Sequence, residues 1–160
     1  MDLHTANQAG NGGRALSDAP AQPKRRPLPL IDVDTAPFWE ATQAGRLVAQ
    51  RCAGCRAMRF PPRMLCSRCR SWDSEWVELD GSGTVYSWVV VVHPVTEGLR
   101  SEVPYVIALV EVAPGVRMPA RLVGCDPAEI SAGLPVVVEF EAISPDVTLP
   151  VFRPVKARQT

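Results

Sequence analysis

The stretch RCAGCRAMRFPPRMLCSRC, residues 51–69, holds four of the chain's five cysteines, spaced as Cys52-x2-Cys55 and Cys66-x2-Cys69. Thiolates serve as nucleophiles, redox couples or metal ligands, and spacing separates these roles. A C-x2-C turn aims two sulfurs at one point. Two such turns supply the four thiolates that Zn²⁺ takes tetrahedrally at about 2.3 Å. The ten-residue connection Arg56–Leu65 has room for a hairpin and needs no further ligand. The pattern predicts one Zn²⁺ held by Cys52, Cys55, Cys66 and Cys69.

Four thiolates close the coordination sphere and leave no position for water or substrate, so the expected metal is structural. Two negative charges remain on such a centre, and Arg51, Arg56 and Arg68 stand near enough in sequence to offset them. A rubredoxin-like iron would use the same four ligands, and spacing leaves zinc against iron open. A thioredoxin-like redox pair would need a βαβ pattern, which is absent. The fifth cysteine, Cys125, lies far from both pairs in sequence, has nothing beside it that suggests activation as a nucleophile, and reads as a half-buried, inert thiol.

No other residues assemble into a catalytic constellation. His4 lies in the N-terminal region and His93 ends a strand before Pro94. No G-x-S-x-G, P-loop or G-x-G-x-x-G occurs. A small barrel carrying a closed metal knot reads as a binding module rather than an enzyme.

The elements that position the cysteines are mostly strands. Sixteen prolines and eleven glycines favour turns and short strands over long helices. Residues 1–29 have few large apolar side chains and read as a disordered tail. Residues 30–76 read as a helix and a zinc ribbon. Asp34 or Thr35 can cap that helix, Pro37 sits in its first turn, and Phe38, Ala41 and Thr42 share a face. Gly45 ends it, and Leu47–Gln50 extends towards the first knuckle. Residues 77–156 alternate with period two, and 157–160 form a short tail. Thr84, Tyr86, Trp88, Val90 and Val92 are expected on one strand face. Val106–Val112, Val116–Leu122, Val136–Phe140 and Leu149–Val155 follow as strands, with an Asp126-capped turn between the third and fourth. Five strands with that one helical turn match an OB-fold barrel, and by pattern alone other five- or six-stranded barrels fit nearly as well. Of these, the expected fold is mostly β with an N-terminal helix and rubredoxin-like zinc ribbon followed by a five-stranded OB-fold.

Net charge is zero, but it is unevenly spread. Residues 46–72 hold seven arginines and no acid, while residues 73–160 hold twelve acids against six bases, a net of −6. No apolar run approaches the roughly 18–20 residues of a membrane-spanning helix. The N-terminal region lacks the apolar segment of a secretory signal. The expected setting is the reducing cytoplasm, where paired cysteines stay available to a metal.

Several motifs together resemble a known family. They are Phe38-Trp39, Gly45-Arg46-Leu47, Phe60-Pro61-Pro62 between the knuckles, and Gly81-Ser82-Gly83-Thr84-Val85-Tyr86-Ser87. Further on come Pro104-Tyr105, Ala108–Glu111, Gly133 before Val136, and Pro150-Val151-Phe152-Arg153-Pro154. Over about residues 30–156 the chain resembles the zinc-ribbon plus OB-fold proteins grouped as domain of unknown function 35. The resemblance implies a non-catalytic subunit that docks on a thiolase-fold enzyme (thiolase, aldolase or acyltransferase) or on a hydratase. Such a subunit supports acyl-CoA binding or transfer in lipid, steroid or aromatic acyl-CoA metabolism. It carries the four metal ligands over to Cys52, Cys55, Cys66 and Cys69.

Coenzyme A presents phosphates and a long, mostly apolar arm. Arg46, Arg59 and Arg63 are the candidates for phosphate, and Phe38, Trp39 and Phe60 for the apolar arm; packing of the ribbon on the barrel is the plainer role for the aromatics. The rival reading is an OB-fold for single-stranded nucleic acid, with Tyr86 and Trp88 as a stacking platform. The acidic barrel argues against it, because phosphate affinity rests on Lys and Arg.

Overall fold

The computed structural model describes residues 26–94 and 96–155. Of the expected tail at 1–29, residues 1–25 with His4 lie outside the described residues, as does the tail at 157–160. Residues 26–29 have no regular structure, yet Arg26 is anchored: its guanidinium pairs with Glu102 at 3.0 Å and with Glu141 at 3.2 Å.

Helix α1 spans Ala36–Gln43 and buries Phe38, Ala41 and Thr42, the expected face. Thr35 holds the N-cap position, but its hydroxyl does not cap the helix. It turns back to Asp32, whose carboxylate accepts from the Thr35 hydroxyl at 2.7 Å and from the Thr35 N–H at 2.9 Å. Gly45, at φ +69°, ends the helix and lets the Arg46 N–H reach the Ala41 carbonyl at 2.9 Å.

Three strands then form the ribbon sheet: β1 (Val48–Cys52), β2 (Met58–Arg59) and β3 (Ser74–Glu78), in the order β2-β1-β3. Strand β3 crosses the position expected to separate ribbon from barrel, and it pairs with β1 along its whole length.

The barrel follows: β4 (Ser82–Val91), β5 (Tyr105–Ala113), β6 (Val116–Leu122), β7 (Pro135–Ser144) and β8 (Val147–Pro154). It closes in the order β4-β5-β6-β8-β7, with β7 returning to β4. That is the OB-fold order, and the Asp126-capped turn, Pro127–Glu129, stands between the third and fourth barrel strands. Val116, Met118, Ala120 and Leu122 point inward on β6, as their alternation predicts. Val106, Ala108, Val110 and Val112 do the same on β5. Gly83 lets β4 approach β5 closely, since a Cβ there would lie 2.6 Å from Val110 Cγ1 and 2.9 Å from the Glu111 carbonyl oxygen.

Strand β4 departs from its expected face. The register runs Val85↔Val110 and then Ser87↔Leu109, so Tyr86 is an extra, bulged residue. The bulge reverses the phase. Val85 faces the core before it, and Trp88 and Val90 pair with the buried Ala108 and Val106 after it. Tyr86 is half-exposed beneath the Arg117 guanidinium, 3.4 Å from the ring centroid. Tyr86 and Trp88 therefore do not share a face, and the stacking platform expected from their spacing is not formed.

The seam between β6 and β8 is short. Only Arg121↔Val151 and Leu122↔Phe152 pair across it, in parallel. Pro119 and Pro150, which have no N–H to donate, sit in the two strands where they diverge. One apolar cluster joins Phe38, Ala41, Leu47, Val48 and Ala49 to the barrel core, so helix α1 and the start of β1 pack as part of the barrel. Among the described residues no helix is long and apolar enough to cross a membrane.

Candidate metal centre and the adjoining apolar pocket

The two knuckles repeat one backbone design fourteen residues apart. The Cys52 N–H bonds the Ala57 carbonyl at 3.0 Å, and the Cys66 N–H bonds the Ser71 carbonyl at 3.0 Å. Arg56 N–H reaches the Cys52 carbonyl at 3.0 Å and Arg70 N–H the Cys66 carbonyl at 2.9 Å. Both turns place an arginine in the left-handed region, Arg56 at φ 62° and Arg70 at φ 60°.

This geometry brings the four sulfurs within 4.8 Å of one another. Cys52 Sγ lies 3.5 Å from Cys69 Sγ, and Cys55 Sγ lies 3.7 Å from Cys66 Sγ. A tetrahedral ZnS4 centre with bonds of about 2.3 Å has sulfur–sulfur edges of about 3.8 Å. The donor set and its spacing fit one ion.

The thiols are unequal before a metal binds. The N–H groups of Cys69 and Arg68 point at Cys66 and bring its thiol down to about 6. The N–H of Cys55, 3.5 Å from the Cys52 sulfur, lowers Cys52 as well. Cys69 is pulled down by the Ser71 N–H, but the Cys52 and Cys55 thiols and burial outweigh it and leave Cys69 at about 11. Cys66 is thus the thiol readiest to ionise and Cys52 is shifted the same way, while Cys69 needs the cation to ionise at neutral pH.

The arginines expected around the centre are largely claimed by acids. Arg51 and Arg56 both pair with Glu75 of β3, at 2.8 Å and 2.7 Å. Arg46 pairs with Glu78 at 3.5 Å. Arg59 is fixed by Gln50, a buried amide whose Oε1 accepts from Arg59 Nε at 2.8 Å and from the Arg63 N–H at 2.9 Å. Arg59 also donates to the Arg63 carbonyl at 2.8 Å, and its Nη1 is buried without a partner. Arg63 is exposed.

Phe38, Trp39 and Phe60 meet at one place. Phe38 lies against Trp39 at 5.1 Å between centroids and against Phe60 at 5.2 Å. With Pro61 and Pro62 they wall a cavity of about 380 Å³, whose floor is the Met118–Arg121 segment of β6 and the Leu149–Val151 segment of β8. The cavity occupies the gap where β6 and β8 part. Trp39 lines the cavity, and its Nε1 is buried without a hydrogen-bond partner. Arg121 stands at one end, donates to Glu102 through Nη1, and leaves Nε unpartnered. Beyond Arg121 a smaller hollow of about 160 Å³ shares Ile107, Arg121 and Leu149 with the first and is closed by Arg26 and Pro27.

Arg121 and Ile107 were not among the expected site residues. The signal for this floor is proline within strand-patterned sequence, Pro119 and Pro150, which marks a broken ladder. Cys125 is half-buried, and burial followed by the Glu129 and Asp126 carboxylates pushes its thiol up. His93 is exposed.

Known proteins match this architecture in both parts. Residues 39–73 match the family profile described as the ChsH2 rubredoxin-like zinc ribbon domain, and residues 76–141 match the ChsH2 C-terminal OB-fold domain. A scaffold protein of Methanocaldococcus jannaschii containing a DUF35 domain is 35% identical over 101 residues, which cover 62% of this chain and 71% of that protein. The chain belongs to the DUF35 family. A solved structure described as the Ltp2-ChsH2(DUF35) aldolase superposes with a TM-score of 0.73 at 46% identity, covering 79% of this chain and 98% of that one. A DUF35 protein of Sulfolobus solfataricus shares the fold at a TM-score of 0.55 and 16% identity, over 77% of this chain and 86% of that one. A probable enoyl-CoA hydratase alpha subunit of Thermomonospora curvata is 46% identical over 129 residues; these are 81% of this chain but 40% of that longer protein. As a DUF35 zinc ribbon, the four-cysteine cluster supports a structural zinc.

Proposed function

We propose that this chain is a non-catalytic subunit that docks on an acyl-CoA enzyme, a thiolase-fold aldolase, thiolase or acyltransferase, or a hydratase. The observation that carries the reading is the 46% identity, across 98% of its length, to a chain solved as part of an aldolase named for two components. The names of longer relatives as hydratase alpha subunits point the same way. Zinc on Cys52, Cys55, Cys66 and Cys69 supplies a cross-link between the knuckles and no open coordination position. The cytoplasm is the setting in which those thiols remain reduced.

The cavity bounded by Phe38, Trp39 and Phe60 receives the apolar part of an acyl-CoA. Its walls are almost wholly apolar, as an acyl chain or the long apolar arm of coenzyme A requires. For coenzyme A phosphates Arg63 is the better placed of the three candidate arginines, because Arg46 and Arg59 already have partners.

The test is co-expression with an aldolase or hydratase subunit, followed by gel filtration with and without acyl-CoA. Co-elution with one of these enzymes, and weaker acyl-CoA retention when Trp39→Ala removes a wall of the cavity, is the expected result. Separate elution from every such enzyme would overturn the docking reading. Unchanged acyl-CoA retention in Trp39→Ala would remove the pocket from it.

A further inference from the structure

The far end of the ribbon leaves large apolar side chains in solvent. Trp72 is 67% exposed, Met64 54% and Leu65 41%. The hydrogen bond from Cys66 N–H to the Ser71 carbonyl closes the second knuckle, so Leu65 and Trp72 leave it from neighbouring points. Arg63 adjoins them, and Arg68 and Arg70 lie within the knuckle itself. The side chains of these three arginines have no acidic partner among the described residues, whereas Arg46, Arg51 and Arg56 do. The patch thus combines Trp, Met and Arg, the residue types enriched where protein interfaces carry their binding energy. None of Met64, Leu65, Arg68, Arg70 or Trp72 lines the apolar cavity, so the patch is a second surface.

Charge selects the kind of occupant. Asp73, Glu75 and Glu78 and the two negative charges of a metallated centre leave the ribbon's seven arginines only weakly positive overall. That is too little for the counterion release that drives nucleic-acid binding. Locally, three unpaired guanidinium groups around an apolar centre match an acidic rim around an apolar recess.

We infer that Trp72, Leu65 and Met64, ringed by Arg63, Arg68 and Arg70, form the anchor by which this chain seats on an acid-rimmed apolar recess of its enzyme partner. The inference rests on the docking reading above and assigns it a surface. Its cost to the free chain is an exposed tryptophan; its gain is an anchor that needs no movement of the barrel.

The experiment uses the full zinc-loaded chain and, as probe, the purified aldolase subunit of the Ltp2 type. Affinity is measured for the wild type, Trp72→Ala, Arg68→Glu and the barrel control Val89→Thr, which changes a residue that is 60% exposed on β4. Zinc content of each variant verifies that the ribbon is formed. Trp72→Ala is expected to weaken binding at least about 30-fold and Arg68→Glu about 10-fold, with Val89→Thr within about twofold. Wild-type affinity is expected to fall with added salt. No wild-type binding would overturn the anchor together with the aldolase form of the docking reading. Wild-type binding that survives Trp72→Ala and Arg68→Glu unchanged would overturn the anchor alone and leave docking to another face.

Discussion

The ribbon and the barrel are held by different forces. Within residues 52–72 the buried side chains are those of Cys52 and Cys66, so this segment has almost no apolar core of its own. The barrel closes on Val85, Val110, Val116, Met118, Val136 and Phe152, each no more than 1% exposed. Ordering a segment of ribbon length costs on the order of 1–2 kcal/mol per residue in backbone entropy. Burial can offset that cost in the barrel; in the ribbon the metal must. The division does not fall at the end of the helix. Leu47, Val48 and Ala49 belong to the barrel's apolar cluster, so dependence on metal begins near Gln50.

The sharpest way to break the comparison is to remove a ligand. Cys66→Ser deletes the thiol most readily ionised and is expected to abolish stoichiometric zinc. A centre of this type contributes about 10–16 kcal/mol of apparent binding energy. Limited proteolysis should then cut within residues 52–72 and spare residues 82–154. Acidification should release zinc for the same reason, since the metal binds thiolates and protons compete for them. Loss should require several protons per ion, measured with a chromogenic chelator across a pH series.

Next in size is the barrel's counterpart. Phe152→Ala empties a fully buried site and is expected to cost about 3–5 kcal/mol in denaturant unfolding, with zinc content unchanged in the folded protein. A smaller effect tests the polar brace of the ribbon. Gln50→Ala strips Arg59 Nε and the Arg63 N–H of their shared acceptor and should cost about 1–3 kcal/mol. Smallest is a gain. Arg70 sits at φ 60°, where a glycine carries no Cβ clash, so Arg70→Gly should stabilise the metallated ribbon by about 1 kcal/mol in thermal unfolding.

The same contrast explains what could be read from sequence. The cysteine spacing carried the metal centre because four ligand types at fixed offsets leave little freedom. The alternation of Val116, Met118, Ala120 and Leu122 carried β6 because that strand has no interruption. Strand β4 was misread because one bulged residue, Tyr86, reverses the phase, and periodicity has no term for an inserted residue. The arginine excess over residues 46–72 was real, but its neutralisation by Glu75 depends on β1–β3 register, which places Arg51 opposite Glu75. The apolar cavity was half visible. Phe38, Trp39 and Phe60 were singled out, while Ile107 and Arg121 came to it only through the parting of β6 and β8.

The division between a metal-held ribbon and a burial-held barrel is tested most directly by amide hydrogen exchange on the intact chain before and after zinc is chelated. The account predicts that protection collapses across residues 50–74 and persists in β4 to β8 and helix α1. A ribbon that stays protected without metal, or a barrel that opens along with it, would contradict the account.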